Sequence, residues 1–182
     1  MIRLSDEQWE RIREHFPEEH IADDRPGRKP VPTRRVLEAV LWILNTGAQW
    51  HMLPQSYPNY KTVHRRFQTW CSNEVLRRVL TDVANELRDR GALDEEECFI
   101  DATFVMAKGG GADVGATKRG KGMKIMAIVD RHGLPRRYMR RWLVERFFAW
   151  IQWQRRILIR WEYHAQNFLG FVQLACLVIL FK

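Results

Sequence analysis

The chain has 182 residues, enough for one domain or for a small domain followed by a modest second one. Apolar residues make up 46% and charged residues 29%, a balance that excludes a wholly disordered chain and a collagen-like one. Lys and Arg number 30 against 22 acidic residues. The resulting net charge of +8 favours a polyanionic partner such as nucleic acid, although ribosomal and merely soluble basic proteins share it.

Cysteine usage and the apolar runs predict a cytoplasmic protein. Cys71, Cys98 and Cys176 are far apart and form no metal-binding spacing, which argues against a zinc site or a disulfide framework. The N-terminus lacks the apolar core of a signal peptide. The longest apolar run, 168–181, is short for a membrane span, so we expect a buried helix and no membrane partner. A membrane-associated helical fragment is the weakest alternative.

The first 90 residues show the periodicity of helices. Ser5 can cap a first helix, and Thr33 can cap a second that Gly47 would end. The second helix is apolar around most of its circumference, so we expect it to lie at the centre of the fold. The third and fourth helices are predicted over 60–71 and 74–90.

An arm joins the first two predicted helices. Residues 25–35, RPGRKPVPTRR, combine three prolines with five basic residues. Proline lacks an amide donor and disfavours helix in the residue before it, so the arm is expected to be extended. A plain linker and a phosphate-contacting arm are both consistent with this pattern.

The third helix has the pattern of a DNA-reading helix. Val63, Phe67 and Trp70 are spaced to face inward. Basic residues fall elsewhere on the helix, and we take four as candidate DNA-binding residues: Lys61, His64, Arg65 and Arg66. A basic helix that follows a hydrophobic helix and a loop fits a helix-turn-helix, although this loop is longer than the usual tight turn. The alternative is a helical bundle with a solvated basic face.

The second half changes to strand periodicity. CFIDATFVMA predicts a strand with Asp101 in the middle of an apolar run, either as a salt-bridged acid or as a metal-binding carboxylate. The following loop, 108–124, has six glycines and five basic residues, and Lys118, Arg119 and Lys121 are candidate phosphate contacts. It lacks the nucleotide P-loop pattern. MKIMAIVD predicts a second strand, and Asp130 begins a turn.

The last part is predicted to be helical and strongly basic. Residues 131–160 contain nine Arg and a single acid, Glu145. Tyr138, Arg141, Glu145 and Gln152 fall on one stripe of a helix. A lone Glu among arginines can be an ordinary ion pair, but its alignment with a phenol and a guanidinium favours a functional role.

These stretches together resemble bacterial insertion-sequence DDE transposases of the insertion-sequence-five group. The resemblance lies in IDATFVMAKGGGADVGATKRGKGMKIMAIVDRHGLP and RRYMRRWLVERFFAWIQWQRRILIRWEY, and in the N-terminal segments LSDEQWERIREHFP, GRKP, WILNTGAQWHMLP and YKTVHRRFQTW. It covers nearly the whole chain. It implies a helical, helix-turn-helix-like DNA-binding region over 1–91 and an RNase H-like catalytic region over 92–182. The implied fold class is α+β, mostly α.

The resemblance also implies a chemistry. Asp101 matches the first catalytic aspartate of the family, and Tyr138, Arg141 and Glu145 match the signature around its catalytic glutamate. Asp101 and Glu145 would hold Mg²⁺ or Mn²⁺, and Tyr138 and Arg141 would contact DNA. Two divalent cations would then support phosphodiester cleavage and strand transfer at terminal inverted repeats in double-stranded DNA. A homo-oligomer is also expected.

One departure from the family is large. Family members have further strands and a second catalytic aspartate before the glutamate helix, whereas here only 14 residues separate Asp130 from Glu145. The chain therefore resembles an internally deleted copy with a truncated RNase H-like region. We expect it to be catalytically defective unless Asp130 replaces the missing acid. The alternative is a non-catalytic DNA-binding remnant or a regulator.

Overall fold

The structure is a computed structural model that describes residues 3–22, 27, 29–92, 99–129 and 140–181. For residues 99–101, 128–129 and 140–145 it describes the backbone alone. Helices predominate, and one small sheet follows the N-terminal helices in the chain. The fold is thus α+β and mostly α, as predicted.

The N-terminal half consists of helices, as the periodicity predicts. The elements are α1 (Asp6–Glu10), α2 (Thr33–Thr46), α3 (Tyr60–Ser72) and α4 (Val75–Asp89), with 3-10 turns at Arg13–His15, Pro17–His20 and Trp50–Met52. α2 is the central helix because one side chain after another along it is fully buried, which confirms the expectation from its composition.

Two of the three predicted helix signals are confirmed. The Ser5 side chain accepts a hydrogen bond from the Gln8 amide and caps α1. Gly47 ends α2 with a φ of 70°, a left-handed conformation that glycine adopts at little cost. The predicted cap at Thr33 is wrong, because Thr33 is the first residue inside α2 and its hydroxyl accepts a hydrogen bond from Arg66 instead.

A four-stranded sheet forms the second element of the fold. Its strands are β1 (Phe99–Ala107), β2 (Gly115–Thr117), β3 (Gly120–Val129) and β4 (Ile159–Arg160), in the order β2-β3-β1-β4. β1 and β3 are the two predicted strands, and they pair antiparallel from Phe99 opposite Val129 to Met106 opposite Gly122. β2 and β4 are short additions, of which β4 runs parallel to β1.

The C-terminal helices pack against both the sheet and the N-terminal helices. They are α5 (Arg140–Gln152), α6 (Arg155–Leu158) and α7 (Ala165–Leu180). α7 packs against α3 and α4, and the Phe67 and Phe171 rings are 4.5 Å apart. The apolar run at 168–181 is therefore a buried helix, as expected. None of the helices in the described part of the chain has both the length and the apolarity to cross a membrane.

Arg156, which forms a buried ion pair with Glu162, connects the C-terminal segment to the N-terminal half through a hydrogen bond. The Arg156 and Glu162 side chains are each 5% exposed and lie 2.5 Å apart. Arg156 also donates a hydrogen bond to the Ala48 carbonyl oxygen, just beyond α2. We call this pair the clasp. One hydrophobic core contains residues from both sides of position 91, so the division at 91/92 stays a prediction.

Candidate nucleic-acid interface and carboxylate pair

α3 presents a basic face to solvent. The Asn59 side chain accepts a hydrogen bond from the Lys61 amide and caps the helix. Val63, Phe67 and Trp70 are fully buried, so one face of α3 is fixed in the core, while Lys61 and Arg65 are exposed. The structure thus has these two cations pointing outward, as expected, and their role in DNA binding stays a prediction.

His64 differs from its two basic neighbours. Its ring is half-buried and stacks on Trp50, with 4.5 Å between the ring centroids. Burial lowers the pKa of His64, and the nearby Arg156 charge lowers it further. The imidazole is therefore neutral at pH 7. A neutral imidazole offers one donor and one acceptor, which suits a base edge better than a phosphate.

Arg66 is a structural residue, contrary to its prediction as a DNA contact. Its side chain is 11% exposed, and its Nε donates to Glu18 at 3.0 Å. The two terminal nitrogens donate to the Val31 carbonyl oxygen and the Thr33 hydroxyl. The guanidinium also lies over the Trp70 ring. The sequence contained a sign that Arg66 lies against the core, because Arg66 is four residues before Trp70 and falls beside the apolar stripe of α3.

A cluster of arginines lies at the start of α2, and it contains two residues of the predicted arm together with Arg3, which the sequence analysis did not single out. Arg3, Arg34 and Arg35 line a cavity of about 330 Å³ together with Glu38, Ser56 and Tyr57. Arg34 is ion-paired with Asp6, which raises the pKa of the guanidinium. Arg35 is exposed and donates to the Ser56 carbonyl oxygen at 2.9 Å. Residues 33–35 are thus helical, which corrects the expectation that the whole arm is extended.

The glycine-rich loop is in part a β-hairpin, which corrects the expectation of a loop over all of 108–124. Lys118 and Arg119 form a two-residue connection between β2 and β3, and Gly120 follows with a φ of 106°. The Thr117 hydroxyl bridges the turn by donating to the Gly120 carbonyl oxygen at 2.8 Å. Lys118, Arg119 and Lys121 are all exposed at this tip, so they are accessible to a phosphate.

The two predicted catalytic acids lie on elements that pack together. Asp101 is in β1, opposite Ala127 of β3, and Glu145 is in α5, which packs against both strands. The side chains of Asp101, Glu145 and Arg141 lie outside the described ones, and Asp130 and Tyr138 lie outside the described residues. No group of three or more metal-ligating side chains occurs among those described. The catalytic and metal-binding roles therefore stay predictions.

Comparisons with known proteins give one family model and similar proteins from two bacteria. The model of a family described as "Putative transposase of IS4/5 family" matches residues 4–80. The "Uncharacterized protein y4sN" of Sinorhizobium fredii (strain NBRC 101917 / NGR234) is 34% identical over 119 residues, which are 65% of this chain and 87% of that protein. No solved structure gives a significant match.

A second relative carries the name of an insertion element. The "Insertion element IS402 uncharacterized 16.2 kDa protein" of Burkholderia cepacia is 29% identical over 117 residues, which are 63% of this chain and 80% of that protein. The chain belongs to the IS4/5 family of insertion-element transposases. The segment matched by the family model begins before α1 and ends within α4, so it contains the whole of α3.

Proposed function

We propose that this transposase-family protein binds the terminal inverted repeats of its insertion element through α3 and acts in the cytoplasm. The observation that carries the proposal is the exposed pair Lys61 and Arg65, on a helix whose other face is fixed in the core. That helix lies in the segment matched by the transposase family model. A rigid helix with outward cations can enter the major groove, which is about 12 Å wide.

The arginines at the start of α2 support the same docking. In helix-turn-helix proteins the first helix crosses the DNA backbone while the second enters the groove. Tyr57, which lines the arginine cavity, precedes Lys61 by four residues, so their Cα atoms are at most about 14 Å apart. Arg35 and Lys61 are thus close enough to contact phosphates of the same duplex. Phosphate contacts of this kind position a protein, and base contacts from α3 would specify the site.

Cleavage is proposed to be defective. Asp101 and Glu145 offer hard carboxylate oxygens, which suit Mg²⁺ or Mn²⁺, and α5 packs against β1. Such a metal would supply charge stabilisation for phosphodiester chemistry. The family site needs a third acid, and no Asp follows Asp130 in this chain. The protein would then occupy repeat ends without cutting them, so a regulator or remnant is the second candidate function.

Binding is tested with the full chain and a labelled duplex carrying the repeat read from the flanking DNA. The logarithm of affinity should fall with the logarithm of salt by about 0.9 for each phosphate contact. Lys61→Gln and Arg65→Gln should each weaken binding and flatten that slope. Arg77→Gln is the matched control, because Arg77 on α4 is 66% exposed and lies outside the proposed interface. Salt-independent binding, or equal losses in all three variants, would contradict the proposal.

Cleavage is tested on the same duplex with Mn²⁺. We expect intact DNA from the wild-type chain and from Asp101→Ala. Nicking by the wild type that disappears in Asp101→Ala would show that a working site survives. Asp130→Ala would then be tested in the same assay. Loss of nicking in that variant would show that Asp130 supplies the missing carboxylate.

A further inference from the structure

The outward side of α3 carries an uncharged polar side chain, Gln68, beside its two exposed cations. Successive residues of an α-helix turn by about 100°, so Lys61, Arg65 and Gln68 lie within about 60° of each other around the helix axis. The fully buried apolar side chains of the helix lie on its other side: Val63, Phe67 and Trp70. Gln68 is partly exposed, so its amide can meet a ligand that docks on the cations.

The side-chain amide of Gln68 makes no hydrogen bond within the part of the chain that the structure describes. Its exposed neighbour Thr69 differs, because the Thr69 hydroxyl donates to the Arg65 carbonyl oxygen at 3.1 Å within the helix. One turn before Gln68, the His64 ring is held by its stack on Trp50. The amide therefore keeps an acceptor oxygen and its N–H donors for a partner outside the chain.

The spacing of the polar residues on α3 is that of a helix that reads bases. Four of them have relative positions 0, 3, 4 and 7: Lys61, His64, Arg65 and Gln68. Homeodomains use the same spacing for the base-contacting positions of the helix in the major groove. The cations gain energy from phosphates of any sequence, so phosphate contacts cannot select a site. An uncharged amide contributes only where its hydrogen bonds are matched.

Adenine is the base whose major-groove edge matches an amide. It presents the N7 acceptor beside the N6 amino donor, so a glutamine can donate to N7 and accept from N6. Guanine presents two acceptors, cytosine a donor, and thymine an acceptor and a methyl group. We propose that Gln68 determines sequence specificity by pairing in this way with an adenine of the terminal inverted repeat. This inference rests on the proposed binding of α3 to the repeat.

The first test compares affinities of the full chain for the repeat duplex and for an unrelated duplex of equal length, measured by fluorescence anisotropy. The wild type should prefer the repeat, and Gln68→Ala should lose about tenfold to a hundredfold of that preference. Its affinity for the unrelated duplex and its salt slope should stay unchanged, because no phosphate contact is lost. Gln166→Ala is the matched control, because Gln166 is exposed on α7, outside the proposed interface. Both variants should melt like the wild type.

Base analogues test the same pairing without any change to the protein. 7-Deazaadenine replaces the N7 acceptor with a C–H group and leaves base pairing intact. Placed at each adenine of the repeat in turn, it should weaken wild-type binding strongly at one position and should cause no further loss there in Gln68→Ala. Exchange of that A·T pair for G·C should weaken the wild type. Gln68→Lys should instead prefer the exchanged duplex, because lysine pairs with O6 and N7 of guanine.

The outcomes separate this inference from the proposed function. A repeat preference that Gln68→Ala retains in full would overturn the role of Gln68 and leave DNA binding by α3 intact. Equal losses on both duplexes, or equal analogue effects in the wild type and Gln68→Ala, would do the same. A wild-type chain that binds both duplexes equally would also overturn the inference, since no specificity would exist. A wild-type chain that binds neither duplex would contradict both proposals.

Discussion

The N-terminal helices and the sheet differ in how far their apolar side chains are covered. Along α2 the apolar side chains are almost completely buried, and α7 covers α3 and α4. On the sheet, Met106 and Met126 are 41% and 71% exposed. The covered region coincides with the segment that the family model matches. The sheet is the region in which the resemblance implies missing strands.

Polar contacts show the same difference. Arg66 ties α3 to Glu18, and Arg156 of α6, the arginine of the clasp, donates a hydrogen bond to the Ala48 carbonyl oxygen just beyond α2. These contacts join parts of the chain that are far apart in sequence. The hairpin between β2 and β3 instead presents Lys118 and Arg119 to solvent. The C-terminal helices are thus joined to the N-terminal helices by polar as well as apolar contacts.

The largest expected effect comes from breaking the clasp. Glu162→Ala leaves Arg156 buried without its counter-charge, and loss of one partner of a buried pair costs about 3–5 kcal/mol. The free energy of unfolding should fall by that amount in urea titrations monitored by tryptophan fluorescence. Arg155→Ala is the neighbouring control, because Arg155 is exposed and its loss should cost far less. Equal stability of both variants would mean that the clasp contributes no more to the stability of the fold than an exposed arginine does.

A smaller loss is expected where α7 approaches α3. A Cβ at Gly170 would lie 2.4 Å from the Cys71 sulfur, so Gly170→Ala forces a displacement of the helix. Overpacking of this kind costs about 1–3 kcal/mol. Removing the sulfur in Cys71→Ala should give the new methyl group room, so the double variant should be more stable than Gly170→Ala in thermal melts. Additive losses would indicate that the approach of α7 is not limited by Cys71.

The helices were predictable because their signals are local. The Ser5 cap, the Gly47 stop and the buried stripe of α3 each depend on residues within a few positions. The function of Arg66 was not predictable in this way, because its partners Glu18 and Val31 are more than thirty residues distant along the chain. Only the tertiary structure brings them to one guanidinium.

The sheet region was predicted less completely. β1 and β3 have clear alternation, but β2 lies in a glycine-rich segment with weak strand propensity. Its pairing depends on the two-residue turn at Lys118 and Arg119. The elements that carry Asp101 and Glu145 follow from periodicity. The sequence pattern alone offered metal binding as one of two interpretations of Asp101 and favoured a functional role for Glu145. The assignment of both as catalytic acids came from the family resemblance and stays a prediction.

The smallest expected effect is a pH dependence of stability caused by His64. This residue belongs to the covered helices and not to the exposed hairpin. Burial and the Arg156 charge lower the pKa of His64 below its ordinary value of 6.5, so the folded protein keeps this ring neutral. As the pH falls below 6.5, His64 is protonated in the unfolded chain but stays neutral in the folded chain. The free energy of unfolding therefore decreases. The stability that the neutral His64 ring contributes is fully present above pH 6.5. It is lost as the pH falls towards the lower pKa that His64 has in the folded state. It should be well below the cost of breaking the clasp, because the ring is half exposed and solvent screens it.

His64→Gln should therefore lose less stability between pH 7.5 and 5.5 than the wild type does, as measured by urea unfolding at each pH. His51→Gln is the control, because it makes the same substitution at an exposed histidine. The lowered pKa of His64 predicts that DNA affinity changes little between pH 7.5 and 6.5, since this ring gains less charge there than an ordinary histidine does. A wild-type affinity that rises steeply over that interval, and no longer does so in His64→Gln, would mean that His64 binds phosphate as a cation and that DNA binding raises its pKa.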